Sequence, residues 1–344
     1  MTMISLFFIK EYQYNWNATK NDCKRKSKQK CLQIKMQLKM VAKNIKSLYN
    51  FLEVVKMKNY TSLIMDIEKS RAYAIKERTY LQRFISDYVT VLNTLFEENI
   101  EYDVTFSAGD ELQGLFKDTT VAVMYFRLLE LLLKPVKIRA GIGVGEWTIK
   151  INDGSSTQQD GPAYHRARQA IQEVYNNSFH NIRICSEQDD IMANHLVNAA
   201  RELKNQQIYM QNMVLVILEV LSPFVKRGMD MRRTRFMEEL LEIKASYRLS
   251  GFSAAGSNAR AMVEKKDTNL FHVSSIPFIE AIYVDGNMLD MERKVVVKNI
   301  SSVIGEMLDC SRQNVESILK RGNAYKIREL DYMALQYIER MYRE

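Results

Sequence analysis

The run Tyr102-Asp-Val-Thr-Phe-Ser-Ala-Gly-Asp-Glu-Leu-Gln-Gly-Leu-Phe116 decides the fold. Tyr102–Phe106 alternates apolar and polar side chains, as a half-buried strand does, and Leu112-Gln-Gly-Leu-Phe116 reads as a second strand. Ala108-Gly109-Asp110-Glu111 between them is a tight turn, so the whole run is a hairpin. Upstream, residues 74–97 carry helical spacing at Leu81, Phe84, Ile85, Tyr88, Leu92 and Leu95. Before them Tyr60-Thr-Ser-Leu-Ile-Met65 is a short strand ending at Asp66. Downstream, the spacing predicts a helix from Val121 to Leu133, stopped by Pro135. Strands at Val136–Ile142 and Trp147–Ile151, a helix over 162–175 and a β-like Asn181–Cys185 follow. The order β-α-β-β-α-β, with additions, predicts an α+β, ferredoxin-like domain: a central antiparallel sheet with helices on one face.

At 344 residues, with 47% of them hydrophobic, the chain is long enough for two or three domains, which excludes a wholly disordered protein. The cysteines Cys23, Cys31, Cys185 and Cys310 form no C-x-x-C pair, so a zinc ribbon is not expected and a reducing compartment fits. No stretch of roughly twenty apolar residues is present, and a soluble cytoplasmic protein is expected. The net charge of +8 is unevenly placed. Residues 1–56 hold twelve bases against three acids, about +9, and the remainder is near −1. That segment reads as a disordered basic extension, with a nucleic-acid-binding arm as the alternative.

Four regions follow: the extension 1–56, an α+β domain 57–186, a helical connector 187–290 and a helical C-terminal region 291–344. Within the connector, Ile191–Val225 reads as one long apolar helix broken at Pro223. It suits either a homodimer interface or packing within the chain. The Arg232, Arg233 and Arg235 cluster reads as a solvated helix start.

Two acidic positions carry the chemistry. Asp66 ends the first strand, and Asp110, with Glu111 beside it, sits in the hairpin turn. A split β-α-β sheet places the first strand beside that hairpin, which brings Asp66 and Asp110 to one sheet edge. Two close carboxylates repel unless a cation or a shared proton lies between them. Oxygen ligands of this kind favour Mg²⁺ or Mn²⁺. Gly109 lets backbone approach a phosphate, and Gly141-Ile-Gly-Val-Gly145 and Gly161 supply further flexible backbone points. On spacing alone, the favoured reading is a plain hairpin turn at Gly109-Asp110 and a solvated strand end at Asp66. His165 is open to three readings: general acid/base, metal ligand or packed helix histidine.

Asp66-Ile67-Glu68-Lys69-Ser70, Ala108-Gly109-Asp110-Glu111-Leu112, Arg139-Ala-Gly-Ile-Gly-Val-Gly-Glu146 and Gly161-Pro-Ala-Tyr-His-Arg-Ala167 together resemble the SatD family. That family in turn resembles the palm of class III nucleotidyl cyclases and GGDEF domains. The resemblance implies that Asp66, Asp110 and the backbone of Ile67 hold metal. It places Gly109, Gly161 and Arg168 near a nucleotide, and makes Glu111 and His165 the catalytic candidates. It also implies a gap in the machinery. Phe106 stands where a cyclase has its base-recognising lysine, and His165 and Gln169 stand where it has the asparagine and arginine of the transition state. Nucleotide or metal binding is therefore expected ahead of second-messenger synthesis.

Near the C-terminus, Ser301–Leu308 reads as a short helix, Asp309-Cys310 as a turn, and Ser311 as the N-cap of a second helix, Arg312–Lys320. Leu308-Asp-Cys-Ser-Arg-Gln-Asn-Val315 resembles the turn and recognition-helix start of bacterial regulators, with Asp309 in place of the usual glycine. Ser311, Arg312, Gln313 and Asn314 are the base-reading candidates, and Lys320 and Arg321 the phosphate contacts. The alternative is an ordinary helical hairpin. Together these features describe a DNA-binding transcription regulator whose cyclase-like domain binds a nucleotide or metal. The rival is a metal-dependent nucleotide-processing enzyme using Asp66 and Asp110.

Overall fold

The computed structural model describes residues 37–43, 58–152, 154–177, 179–226, 229, 236–249, 263–265, 279–287 and 295–343. Contacts divide the chain into two units, Met1–Met57 and Lys58–Glu344. In the first, residues 37–43 are helical; the rest of the basic extension lies outside the described residues, as do Arg232, Arg233 and Arg235. The second unit is mixed α+β.

It begins with β1 (Asn59–Ile67), α1 (Ile75–Phe96), β2 (Ile100–Ala108), β3 (Glu111–Phe116), α2 (Thr119–Leu133), β4 (Ile138–Glu146), α3 (Pro162–Tyr175) and β5 (Ile182–Cys185). The five strands form one sheet in the order β2-β3-β1-β4-β5. Strand β1 runs antiparallel to both β3 and β4, with Met65 opposite Leu112 and Asp66 opposite Arg139. Strands β2 and β3 form the antiparallel hairpin, and β5 joins β4 in parallel after the α3 crossover.

Alternation along β1 sends Leu63, Met65 and Ile67 into the main core with α1 and α2, and Ile64 to the opposite face. There it meets Ala167 and Ile171 of α3. Helices therefore cover both faces, where the sequence pattern suggested one. The cause is the glycine series in β4. A Cβ at Gly143 would lie 2.0 Å from the Ala163 carbonyl oxygen, and one at Gly141 2.4 Å from that of Ala167. These glycines, read from sequence as flexible backbone points, are the seat on which α3 rests. The expected strand at Trp147–Ile151 also does not form. Ile149 makes an isolated antiparallel bridge with Asp160 instead, and the side chain of Gln159 accepts from Ile151 N at 2.9 Å and donates to Ile151 O at 2.9 Å.

Beyond β5 the expected long helix is three: α4 (Ile191–Asn198), α5 (Arg201–Gln206) and α6 (Tyr209–Leu221). Then come β6 (Phe224–Lys226), α7 (Phe236–Ser246), β7 (Tyr247–Leu249), β8 (Val263–Lys265), β9 (Ile282–Val284), α8 (Ile300–Met307), α9 (Arg312–Arg321) and α10 (Ala324–Met341). Short pairs join β6 to β9 and β7 to β8. Helix α6 is buried around most of its girth, including Met213, Val214, Ile217 and Leu218, and its core partners belong to this same unit.

A buried ionic junction ties α2, α5, α6 and α10 together. Arg127 of α2 bonds Asp331 of α10 at 2.6 Å and grips Glu219 of α6 through two bonds of 2.9 and 2.5 Å. Arg328 adds a second cation to Glu219 at 2.7 Å, and Lys204 a second to Asp331 at 3.0 Å. Burial alone would raise the Asp331 carboxyl, but Lys204 and Arg127 hold it below its ordinary range. Nearby, Lys244 of α7 is buried and donates to the carbonyls of Leu131, Leu132 and Lys134, closing the C-terminal end of α2.

Candidate functional site

The rim at the end of β1 is assembled from four elements. Asp66 leaves β1 on the α3 face, because it follows Met65, which faces the main core. Opposite it in β4 stands Arg139, whose guanidinium donates to Asp66 at 2.9 Å. The β2–β3 turn delivers Asp110. Gly109 has φ +65, a conformation that side chains with a Cβ rarely adopt, and its carbonyl is held by Gln82 of α1 at 3.1 Å. The fourth element is the end of α3, where the Tyr175 ring lies against the Arg139 guanidinium, 4.3 Å from centroid to carbon.

The electrostatics of this rim are unbalanced. Burial raises the Asp66 carboxyl; Arg139 opposes the shift, while the like charge of Asp110 and a hydrogen bond between the two carboxyls add to it. Asp66 and Asp110 are thus close neighbours despite lying far apart in the chain. Burial and the neighbouring Asp66 push the Tyr175 hydroxyl up to about 12. The Nε of Arg139 is shielded from solvent and has no hydrogen-bond partner among the described residues.

Glu111 stands differently. Arg168 of α3 clamps it at 2.5 and 3.1 Å, and Ser107 donates to it at 2.8 Å. The nucleotide-binding candidate Arg168 and the catalytic candidate Glu111 are therefore engaged with each other. His165 is exposed rather than packed, its Nε2 3.3 Å from Asp160 Oδ1. Gly161 is the N-cap of α3. Ile67 is the last residue of β1, its side chain in the core. Arg166 donates to Val144 O and to Glu187, each at 2.7 Å, so its charge is occupied within the protein.

As a metal centre the rim offers hard oxygen donors only. Among the described residues no group of three or more His, Cys, Asp or Glu gathers to hold an ion. Mg²⁺ keeps several waters and is commonly held by one or two carboxylates together with substrate phosphates, so the Asp66–Asp110 pair fits a shared ion of that kind. Sequence reasoning missed Arg139 and Tyr175. The signal for Arg139 was available, since an antiparallel β1–β4 pairing sets it opposite Asp66.

The SatD family model matches residues 60–247, more than half of the chain. The chain belongs to the SatD family. Comparison with curated proteins gives no match. The SatD match takes in the sheet from Tyr60 on, the rim and helices α4 to α7.

Helices α8, α9 and α10 lie outside the SatD match. Between α8 and α9 the chain turns through Asp309, whose φ of 48 lies in the left-handed region that Asp tolerates better than most residues. Cys310 N donates to Gly305 O at 2.9 Å, and a Cβ at Gly305 would come within 2.7 Å of Cys310 O, so the turn closes directly on α8. Ser311 caps α9 by accepting from Asn314 N at 3.3 Å. Val315 and Leu319 are buried, while Ser311, Arg312, Gln313, Asn314, Lys320 and Arg321 are all exposed. Arg312 is braced by Glu316 one turn on, at 2.7 Å.

Proposed function

We propose that this protein is a DNA-binding transcription regulator in which a nucleotidyl-cyclase-like palm senses a divalent cation with a nucleotide. The observation that carries the reading is the exposed triplet Arg312-Gln313-Asn314 at the start of α9, on a helix whose opposite face is anchored in the core. Arg pairs bidentately with guanine, and Gln or Asn with adenine. Lys320 and Arg321, at the far end of the same helix, suit phosphate contacts. The α8-turn-α9 unit is the helix-turn-helix of this proposal, with Asp309 taking the left-handed turn position in place of glycine. A homodimer reading paired half-sites and a cytoplasmic location belong to the same proposal.

The palm assignment is supported by the neighbouring order β2-β3-β1-β4, antiparallel throughout, with crossovers through α1 and α2. The cation, Mg²⁺ or Mn²⁺, is supported by the raised Asp66 carboxyl beside Asp110. That ion would offset the repulsion between the two carboxylates and draw in the phosphates of a nucleotide. Arg166 and Arg168, the cations nearest a clamp for a transferring phosphoryl group, are already spent on Glu187 and Glu111. This favours binding over turnover. The rival reading, a metal-dependent nucleotide-processing enzyme, rests on the same carboxylate pair and predicts turnover that Asp110→Asn abolishes.

The test is retardation of a duplex from upstream of the protein's own coding region. Arg312→Ala with Gln313→Ala should weaken binding at least ten-fold, on the basis of about 1–3 kcal/mol per base contact. Lys320→Ala should lower affinity evenly across sequences. Unchanged retardation by the double variant would overturn the assignment.

A further inference from the structure

Between the C-terminal end of α2, the first residues of β4 and helix α5 lies a cleft of about 300 Å³. Lys134, Lys137, Arg201 and Lys204 line it against two carboxylates, Glu68 and Glu130. The lining is therefore net positive by two charges. Glu130 is already engaged, accepting from Lys204 at 3.0 Å and from Asn181 at 2.5 Å. The ammonium of Lys134, a half-buried residue, is shielded and has no hydrogen-bond acceptor among the described residues. Burial lowers its pKa to about 8, with Lys137 and Lys204 adding to the shift and Glu130 opposing it. The side-chain oxygen of Gln207, another lining residue, is likewise shielded and without a donor. Unmet donors and acceptors of this kind cost free energy unless a ligand answers them.

We propose that this cleft is an effector site for a small phosphate-bearing molecule, its phosphate facing Lys134 and Lys137 and its body carrying hydroxyl or amine groups. The volume lies at the small end of ligand pockets, which suits a sugar phosphate or mononucleotide and not a dinucleotide. The site has a mechanical output. Gln207 Nε2 donates to the carbonyl of Gly322, the residue that closes α9, at 2.7 Å. Lys204 pairs with Asp331 of α10. A ligand that repositions either side chain acts directly on the C-terminal helices.

The site does not depend on the Asp66–Asp110 rim, and the experiment separates the two. Calorimetric titration of the full-length protein at low salt uses ribose 5-phosphate and, as a second arm, inorganic phosphate. Saturable binding of ribose 5-phosphate, stronger than that of inorganic phosphate, is the expected result. Lys134→Met, nearly isosteric, should weaken it roughly ten- to hundred-fold, as loss of a charge-assisted hydrogen bond does. Lys137→Ala, at an exposed position, should weaken it several-fold and serves if the Lys134 variant does not fold. Asp66→Asn should leave the affinity unchanged. Absence of saturable binding at millimolar concentration, equal affinity in the Lys137 variant, or loss of binding in Asp66→Asn would each overturn the assignment.

Discussion

Two places in this molecule gather charged side chains at comparable density, and they are built on opposite plans. At the junction of α2, α6 and α10 the signs alternate: Glu219 has Arg127 and Arg328, and Asp331 has Arg127 and Lys204. Each group there lies against a partner of opposite sign, which repays part of the cost of burying it. At the rim two carboxylates face each other, and Arg139 answers only one of them. The junction is an internal fastening. At the rim two like charges are neighbours, and under the proposed function a bound cation would offset their repulsion.

The largest effect should come from breaking the junction. Asp331→Ala leaves Arg127 and Lys204 with an excess of buried positive charge and should cost about 3–5 kcal/mol, read by denaturant unfolding. A loss below about 1 kcal/mol would mean the junction is not compensated as described. Next is the seat beneath the rim. Gly143→Ala drives a methyl group into the backbone of α3, which carries Arg168 and Tyr175, and should cost about 1–3 kcal/mol. Its response to divalent ions should fall with its stability.

A third case lies between the two plans. Lys244 is buried with carbonyl partners and no carboxylate, and burial, aided by Lys134, lowers its pKa to about 7. The unfolded chain therefore binds a proton that the folded chain gives up between about pH 7 and its ordinary 10.5. Stability should rise with pH across that window, with a slope of up to about 1.4 kcal/mol per pH unit. Lys244→Met should flatten the slope, and an unchanged slope would show that the ammonium is not the group responsible.

Much of the sheet was legible because β2 alternates, β1 and β3 are short apolar runs, and the hairpin turns at Gly109. Helix α2 was legible because Pro135 stops it. The Gly141–Gly145 series was read only as flexible backbone because a strand with glycine at every second position looks the same whether backbone or phosphate approaches it. Only the placement of α3 settles which. The run from Ile191 broke into three helices at positions where no glycine or proline signals a stop. Glu219 did leave a trace as the lone charge of an apolar helix, and Arg127 shares α2 with one other charge, Glu130, but sequence spacing does not pair Arg127 with Glu219 across 92 residues. At the site, Asp66, Asp110 and Glu111 could be named from motif order. Arg139, Tyr175 and the Arg168–Glu111 clamp depend on cross-strand register and helix placement.

Most direct for the central claim, that Asp66 and Asp110 repel across a rim built for a cation, is thermal unfolding of the wild type and Asp66→Asn with and without Mn²⁺. Without the ion the variant should melt higher by about 1–2 °C, the scale of 1 kcal/mol at about 2.1 cal/mol/K of unfolding entropy per residue, because the neutral amide escapes the like charge of Asp110. With Mn²⁺ the wild type should gain stability and the variant should not. An Asp66→Asn protein that melts lower without the ion, or that responds to Mn²⁺ as the wild type does, would contradict the account.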